Sequence, residues 1–181
     1  ESKSIVIWHD KEEEVIEVLE KHLKETVADV TVQFEKKTGL TESLKLVGND
    51  PSSSPDMFIF AHDKLGVYAE MGILSPISEF IEKEDLSDYI PLTISSSQYD
   101  GEIYQLPLYF ETLLFVYNKK YMSADQVPKT TEELYEYMVA KTKYGHYGFV
   151  EQHSTPYYAV GWVHAFGTDY ISSDGVPLFD T

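Results

Sequence analysis

The chain of 181 residues is long enough for one domain, or for one domain and part of a second, and 43% hydrophobic with 25% charged residues is an ordinary globular composition. Its formal net charge is −17, from 31 acidic residues against 14 lysines, with no arginine. A nucleic-acid partner needs a basic face, so this charge argues against one, and the missing arginines argue against charge-based recognition of anionic substrates. The lack of cysteine excludes disulfides, thiolate metal sites and cysteine nucleophiles.

The first residues of the chain do not identify the cellular compartment. The first four, Glu1-Ser-Lys-Ser4, have neither the basic nor the apolar region of a signal peptide. Composition therefore leaves open a cytoplasmic protein and one whose leader was removed. No apolar run approaches the roughly 20 residues that a membrane helix needs.

The first 34 residues predict a β-α-β unit. Ser4–Trp8 is a short continuous apolar run, the pattern of a buried parallel strand. Carboxylates at 12–14 favour the first turn of a helix, whose apolar stripe is Val15, Ile16, Leu19 and Leu23. The alternating Val30, Val32 and Phe34 then predict a second strand.

A third strand and further helices make the expected fold class α/β, with a mostly parallel sheet flanked by helices. Met57–Phe60 is a buried-strand pattern, and a helix is predicted over Lys64–Met71, ended by Gly72. Asp100-Gly101 predicts a tight hairpin turn within 99–104. The remaining predicted elements are strands at 103–109, 113–117 and 147–150, a helix capped by Thr130 and Glu133 that reaches about Lys141, and a helix from Pro156 towards Phe166.

The sequence lacks the motifs of common catalytic and cofactor sites. It has no Gly-x-Gly-x-x-Gly, no P-loop and no Gly-x-Ser-x-Gly elbow. Its six histidines lack the spacing of zinc ligands. We therefore expect neither a metal nor a cofactor.

Charged residues beside aromatic ones follow the predicted strands, where α/β sheets bind ligands. The charged members are Asp10, Lys11, Asp63, Lys64 and Glu111. Flat rings suit the apolar faces of a pyranose, and charged groups suit its hydroxyls, so this pattern favours a carbohydrate ligand. The accompanying aromatic residues are Trp8, Phe60, Tyr109, Phe110, Tyr157 and Tyr158.

Each of these residues also has a purely structural interpretation. Trp8 ends a buried strand and is expected in the core. Asp63 can cap the helix that follows it. Glu111 can be a hinge residue whose hydrogen bonds are satisfied within the protein. Tyr157 and Tyr158 can pack at a helix start.

Three groups of stretches in the chain form a pattern of characteristic order and spacing. They are Pro55-Asp-Met-Phe-Ile-Phe-Ala-His-Asp-Lys64 with Gly66, Tyr68-Ala69 and Gly72-Ile-Leu74; Asp100-Gly-Glu-Ile-Tyr-Gln-Leu-Pro107 with Glu111 and Val116-Tyr-Asn-Lys119; and Pro128-Lys-Thr-Thr-Glu-Glu-Leu134. In these stretches the chain resembles bacterial maltose/maltodextrin-binding proteins, which are extracellular solute-binding components of ABC sugar importers. The order and spacing hold from Ile5 to about Phe166.

The resemblance implies a two-lobe fold that closes on a sugar by hinge bending, and it assigns binding roles residue by residue. Phe60 replaces a stacking Trp, Lys64 replaces an Arg, and Tyr158 replaces a Phe. Thr155 replaces a ligand-contacting Glu, which bears on the length and identity of the sugar. The implied substrate-binding set is Asp10, Lys11, Phe60, Ala61, Asp63, Lys64, Glu111, Pro156, Tyr157 and Tyr158.

The resemblance also implies how the chain is divided. Residues 1–109 correspond to most of the first lobe, and residues 110–181 to the crossing and the first part of an incomplete second lobe. Family members are much longer, so we expect a fragment that self-associates or pairs with a complementary fragment. The implied partners are an oligosaccharide and a membrane permease, and the implied location is periplasmic or extracellular, with a lipid anchor as one form of the full-length protein.

Two other functions stay open at this point. One is a solute-binding protein for a different sugar or a non-sugar ligand, because these lobes serve many ligands. The other is a glycosidase with Asp63 and Glu111 as its carboxylate pair. A glycosidase needs one carboxyl group with a raised pKa, and the neighbouring Lys64 favours the ionised form of Asp63 instead.

Overall fold

The computed structural model describes residues 3–172 and 175–178. The chain divides into two compact units, Glu1–Phe110 and Glu111–Thr181, here called the first and the second unit.

A parallel three-stranded sheet forms the centre of the first unit. Strand β1 (Lys3–His9) lies between β2 (Val30–Lys36) and β3 (Met57–Ile59), in the order β2-β1-β3. Helix α1 (Glu13–Thr26) connects β1 to β2, because two parallel neighbouring strands need a crossover connection. The predicted β-α-β unit and the predicted third strand are therefore confirmed.

Helix α1 buries the stripe that its sequence predicts. Ile16 is buried, and Val15, Leu19 and Leu23 are half-buried. Beside this stripe, the Lys24 ammonium lies 3.6 Å from the Glu20 carboxylate. The apolar stripe in the sequence therefore correctly predicts which side of α1 is buried.

The core of the first unit also depends on a helix that the sequence did not reveal. Helix α2 (Leu40–Val47) begins after Gly39, whose φ of +67° is in the left-handed region that favours glycine. Leu40 and Leu44, four residues apart, lie on one face of α2 and are buried with Trp8 and Tyr68 in a single cluster. The helix lacks a side-chain cap, which explains why no start signal was visible.

Short helices and a hairpin complete the first unit. Met57–Ile59 is followed by a 3₁₀ turn (His62–Lys64) and by α3 (Leu65–Glu70), and Gly72 ends this region with a φ of +68°. The predicted hairpin is present, with Asp100 and Gly101 both at positive φ. The remaining elements are 3₁₀ turns at Ser78–Phe80 and Lys83–Leu86, helix α4 (Pro91–Ser95), and strands β4 (Gln98–Tyr99) and β5 (Glu102–Ile103).

The second unit contains a 3₁₀ turn (Ala124–Gln126), helix α5 (Thr131–Lys141) and helix α6 (Pro156–Ala165). The Thr130 hydroxyl accepts a hydrogen bond from the Glu133 N–H at 3.2 Å, so the predicted N-cap is confirmed. The Glu133 carboxylate accepts from the Lys129 N–H, at 2.7 Å, rather than from the cap residue. Only half of the predicted capping box is therefore formed.

Three predicted strands are wrong. The stretch 103–109 contributes only Ile103 to β5, and no strand forms at 113–117 or at 147–150. A strand needs a hydrogen-bonded neighbour, and the described residues place no ladder beside these stretches. The apolar character of these stretches therefore did not by itself produce β-structure, and the segment 113–116 is exposed.

Candidate functional site

The carboxyl edge of the parallel sheet carries the first-unit candidates. The register pairs His9 with Ile59, so the next residues along each strand, Asp10 and Phe60, leave neighbouring strands at the same edge. Ala61, Asp63 and Lys64 continue from Phe60 into the 3₁₀ turn. The order of the sheet thus brings two separate sequence segments together at the place where α/β sheets bind ligands.

The turn after β1 presents an ion pair supported by an aromatic ring. The Lys11 ammonium lies 3.2 Å from the Asp10 carboxylate and 5.7 Å from the centre of the Tyr109 ring. Burial works against the charge of Lys11, but hydrogen bonds to Asp10 and Tyr109 outweigh it and raise the pKa of the ammonium. Lys11 is therefore a fixed, fully charged donor at neutral pH.

The turn after β3 presents a second, more exposed pair. The Lys64 ammonium lies 3.3 Å from the Asp63 carboxylate, whose side chain is 60% exposed. Neither this turn nor α3 has a side-chain cap, so Asp63 does not cap the helix that follows it. Ala61 is exposed at the start of the turn and leaves the approach to both side chains open.

Two aromatic residues near this edge, Trp8 and Phe60, differ in burial. Trp8 is buried in the core, as expected from its strand position, with the Lys37 ammonium 4.3 Å from the ring centre. That ammonium also lies 2.8 Å from Glu35, and its hydrogen bond lowers the pKa of the Glu35 carboxyl. Phe60 is half-buried and packs against the same core cluster, so part of its ring remains available for an apolar contact.

Two residues near this edge were missed as candidates. Tyr109 was one of the neighbouring aromatics, but its contact with Lys11 is tertiary and had no signal in the spacing. His9 is 5% exposed, and its Nδ1 accepts a hydrogen bond from the Lys11 N–H at 3.2 Å. The sequence signal that could have identified His9 is a polar residue at the end of an apolar strand, directly before Asp10.

The remaining candidates belong to the second unit. Glu111 is exposed at its first position. Pro156 opens α6, where its fixed φ suits the first turn, and Thr155 is the N-cap residue. Tyr157 is exposed and Tyr158 is half-buried, with their ring centres 5.2 Å apart in an edge-on arrangement.

Next to these tyrosines the second unit contains an aromatic cluster with a carboxylate. The ring of Phe149 stacks on Phe115 and meets Trp162 edge-on. The Trp162 indole N–H donates to the Glu151 carboxylate, which also lies 3.1 Å from His153 Nε2. Trp162, Tyr158 and Glu151 line a cavity of about 880 Å³ within this unit.

Within each unit, such side chains can bind a neutral polyhydroxylated molecule. Exposed carboxylates accept hydrogen bonds from hydroxyl groups, the ammonium groups donate to ring and hydroxyl oxygens, and rings cover apolar faces. In the part of the chain that the structure describes, no cluster of His, Asp or Glu side chains is placed to hold a metal ion. Within the same residues, no helix combines the length and apolar character that crossing a membrane requires.

Sequence comparison finds relatives over most of the chain. A maltotriose-binding protein of Pyrococcus abyssi is 39% identical over 140 residues, which are 76% of this chain and 30% of that protein. A galactooligosaccharide-binding protein of Bacillus subtilis is 27% identical over 168 residues, 90% of this chain and 38% of that protein. The chain thus spans well under half the length of these relatives.

Solved structures show the same fold. The maltotriose-binding protein of Thermus thermophilus superposes with a TM-score of 0.72 at 22% identity, over 96% of this chain and 47% of that one. The maltose/maltodextrin-binding domain of Bdellovibrio bacteriovorus, bound to maltotriose, gives 0.64 at 25% identity, over 98% and 49%. The expected periplasmic-binding-protein-like α/β fold is therefore confirmed.

The sequence profile described as bacterial extracellular solute-binding protein matches residues 18–181. This match covers most of both units and agrees with the relatives and the fold. The chain belongs to the bacterial extracellular solute-binding proteins.

Proposed function

We propose that this chain is part of the substrate-capturing component of an ABC importer for an oligosaccharide, with maltose or a longer maltodextrin as the ligand. The observation that carries the proposal is that two ion pairs, Asp10–Lys11 and Asp63–Lys64, lie at one edge of a parallel sheet. A relative at 39% identity that is named for binding maltotriose supports the choice of sugar. A galactooligosaccharide-binding relative keeps a different sugar as the second candidate.

In this proposal the first unit supplies most of one lobe and the second unit supplies the crossing and the opening part of the other. Asp10, Asp63 and Glu111 accept hydrogen bonds from sugar hydroxyls, and Lys11 and Lys64 donate. Phe60 and Tyr157 cover apolar faces of the sugar, and Ala61 leaves room for it. Pro156 and Tyr158 complete the contact from the start of α6.

A catalytic use of Asp63 and Glu111 is less well supported. The acid of a glycosidase is a carboxyl group shielded from solvent, so that it keeps its proton near neutral pH. Asp63 is well exposed and is paired with Lys64, and Glu111 is exposed as well. The relatives that match are named as binding proteins, which favours capture without turnover.

Calorimetric titration of the full-length protein with maltotriose, a galactooligosaccharide and mannotriose tests the proposal. We expect the strongest binding with maltotriose and no release of reducing sugar on long incubation. Asp63→Ala should weaken binding at least about 10-fold, because a hydrogen bond to a charged group contributes about 1.5–3 kcal/mol. Asp88→Ala is the matched control, since it removes an exposed carboxylate of the same unit from outside the candidate set. Equal affinity of Asp63→Ala and the parent would remove Asp63 from the site.

The proposal extends to location and partners. A component of this kind works outside the cytoplasm, in the periplasm or anchored by a lipid to the outer face of the cell membrane, and delivers its sugar to a membrane permease. The family to which the chain belongs is extracellular, which supports this placement. Cross-linking of the full-length protein to a permease in membranes, with and without sugar, tests the partner.

We also propose that the chain self-associates through the exposed apolar segment 113–116. Leu114 and Val116 are 77% and 81% exposed there, and such surface favours association. The net charge of −17 opposes it but is screened at physiological salt, where the Debye length is about 8 Å. Sedimentation velocity should show a concentration-dependent rise in mass that the double variant Leu114→Lys, Val116→Lys abolishes. A monomer at every concentration would contradict the proposal.

A further inference from the structure

A buried histidine supports the turn that carries Asp10 and Lys11. His9 is the last residue of β1, and its Nδ1 accepts the backbone N–H of Lys11, two residues further along. A side chain that accepts from the N–H two residues on closes a tight turn in the way that Asn and Asp do. Because Nδ1 is the acceptor, the ring is neutral and its proton is on Nε2.

The surroundings hold this ring in one position. The His9 carbonyl accepts from the Lys37 N–H at 2.8 Å, and the ring meets Phe34 edge-on, with 6.2 Å between centres. His9 is 5% exposed, so a change of orientation would disturb the packing between β1 and β2.

The charges around His9 also favour its neutral form. Burial is the largest effect and the Lys36 ammonium on β2 is next, and together they lower the pKa of the imidazole despite opposing contributions from the hydrogen bond with the Lys11 backbone and from the charge of Asp10. Lys11 adds a smaller repulsion, the Lys36 ammonium lies 3.7 Å from Glu12, and the register partner on β3 is the uncharged Ile59.

We propose that His9 is a positioning residue of the binding site: its neutral ring fixes the Asp10–Lys11 turn in the conformation that meets the ligand, and protonation releases that turn. A proton on Nδ1 replaces an acceptor with a donor, which faces the Lys11 N–H and cannot bond to it. The inference deepens the proposed function and rests on it for the identity of the ligand, but the state of the turn can be measured without any ligand.

The direction of the pH effect follows from the lowered pKa. Above the pKa of about 6.5 of an unfolded histidine, neither state is protonated and the interaction is complete. As the pH falls below that value the unfolded chain takes up the proton first, so stability decreases down through the folded pKa. Sugar affinity should decrease over the lower part of the same range, as the folded protein becomes protonated.

Nuclear magnetic resonance of the 181-residue chain tests the turn directly. At pH 7.5 the His9 ring should show an unprotonated Nδ1 and a protonated Nε2. On acidification the Lys11 amide resonance should shift with the same midpoint as the His9 ring. A proton on Nδ1 at pH 7.5, or a Lys11 amide that ignores the titration of His9, would overturn the proposal.

Affinity for maltotriose between pH 5 and 8, measured on the full-length protein, tests the link to binding. Below the pKa of His9 the affinity should fall about tenfold per pH unit, the limit for a single proton. His9→Asn keeps an acceptor near the position of Nδ1 and cannot titrate, so its affinity should differ less than twofold across the range. His9→Leu removes the acceptor and should bind weakly at every pH.

His22→Asn, which replaces an exposed histidine on α1, should keep the parent's pH profile. A steep pH profile that survives in His9→Asn would overturn the role of His9 in binding. If the nuclear magnetic resonance titration is as expected but no sugar binds at any pH, the proposed function fails while the support of the turn by His9 stands.

Discussion

The first and second units differ in how far they bury their apolar side chains. In the first unit, a parallel sheet and two flanking helices close around Trp8, Leu44 and Tyr68. In the second unit, Met122 and Leu134 are the buried apolar residues among those described, while the segment 113–116 is exposed throughout. Both units contain helices that the sequence predicts, but the described strands pair into a sheet only in the first unit. A sheet provides an apolar face against which helices can pack.

Stability should therefore depend on packing in the first unit much more than in the second. The largest expected effect is that of Leu44→Ala, because Leu44 has no exposed surface and its removal leaves a cavity. We expect a loss of about 2–5 kcal/mol in the free energy of unfolding of the first unit. Urea denaturation followed by the fluorescence of Trp8, in a Trp162→Phe background, measures it.

Two controls sharpen this comparison. Leu46→Ala changes a residue of the same helix that is 84% exposed, and Leu114→Ala changes an exposed residue of the second unit. Both should alter the free energy of unfolding by no more than about 0.5 kcal/mol. A loss for Leu114→Ala as large as that for Leu44→Ala would mean that the second unit has a core of its own at 113–116.

Glycine-to-alanine substitutions should have opposite signs in the two units. At Gly48 a Cβ would lie 2.5 Å from the Leu44 carbonyl oxygen and 2.8 Å from a methyl group of Ile73, so Gly48→Ala should destabilise by about 1–3 kcal/mol. At Gly161, within α6, a Cβ meets nothing within 4 Å. Gly161→Ala should therefore stabilise by about 0.5–1 kcal/mol, from helix propensity. Thermal unfolding by circular dichroism measures both, and a destabilised Gly161→Ala would show that α6 is more closely packed than described.

Another small expected effect concerns a polar atom inside the first-unit core. The Tyr68 hydroxyl is buried and has no hydrogen-bond partner within the described residues. Tyr68→Phe should raise the free energy of unfolding by about 1 kcal/mol, because an unpaired buried hydroxyl is a net cost.

Tyr99→Phe is the matched control for Tyr68→Phe. The Tyr99 hydroxyl donates to the Glu70 carboxylate at 2.7 Å, so its loss should lower stability by up to about 1 kcal/mol. Urea denaturation of both variants measures the difference. A destabilised Tyr68→Phe would indicate that the hydroxyl has a partner in solution.

Local signals in the sequence were sufficient for the elements that carry them. The stripe of α1, the Asp100-Gly101 turn, the Thr130 cap and Pro156 at the start of α6 each depend on residues a few positions apart. The physical preferences involved, such as positive φ at a turn or an acceptor at a helix start, act over that same distance. The predictions at these places are confirmed because nothing distant had to be known.

The tertiary structure alone decided the rest. Whether 113–117 and 147–150 become strands depends on a neighbouring backbone, which no local pattern reveals, so those predictions failed. Helix α2 forms because Leu40 and Leu44 meet Trp8 and Tyr68 from distant segments. At the site, the sequence determined which residue types follow each strand, but the order β2-β1-β3 placed Asp10 beside Phe60. Only the folded chain brought Tyr109 to Lys11 across nearly a hundred residues, because side-chain contacts at that separation are set by packing and not by sequence spacing.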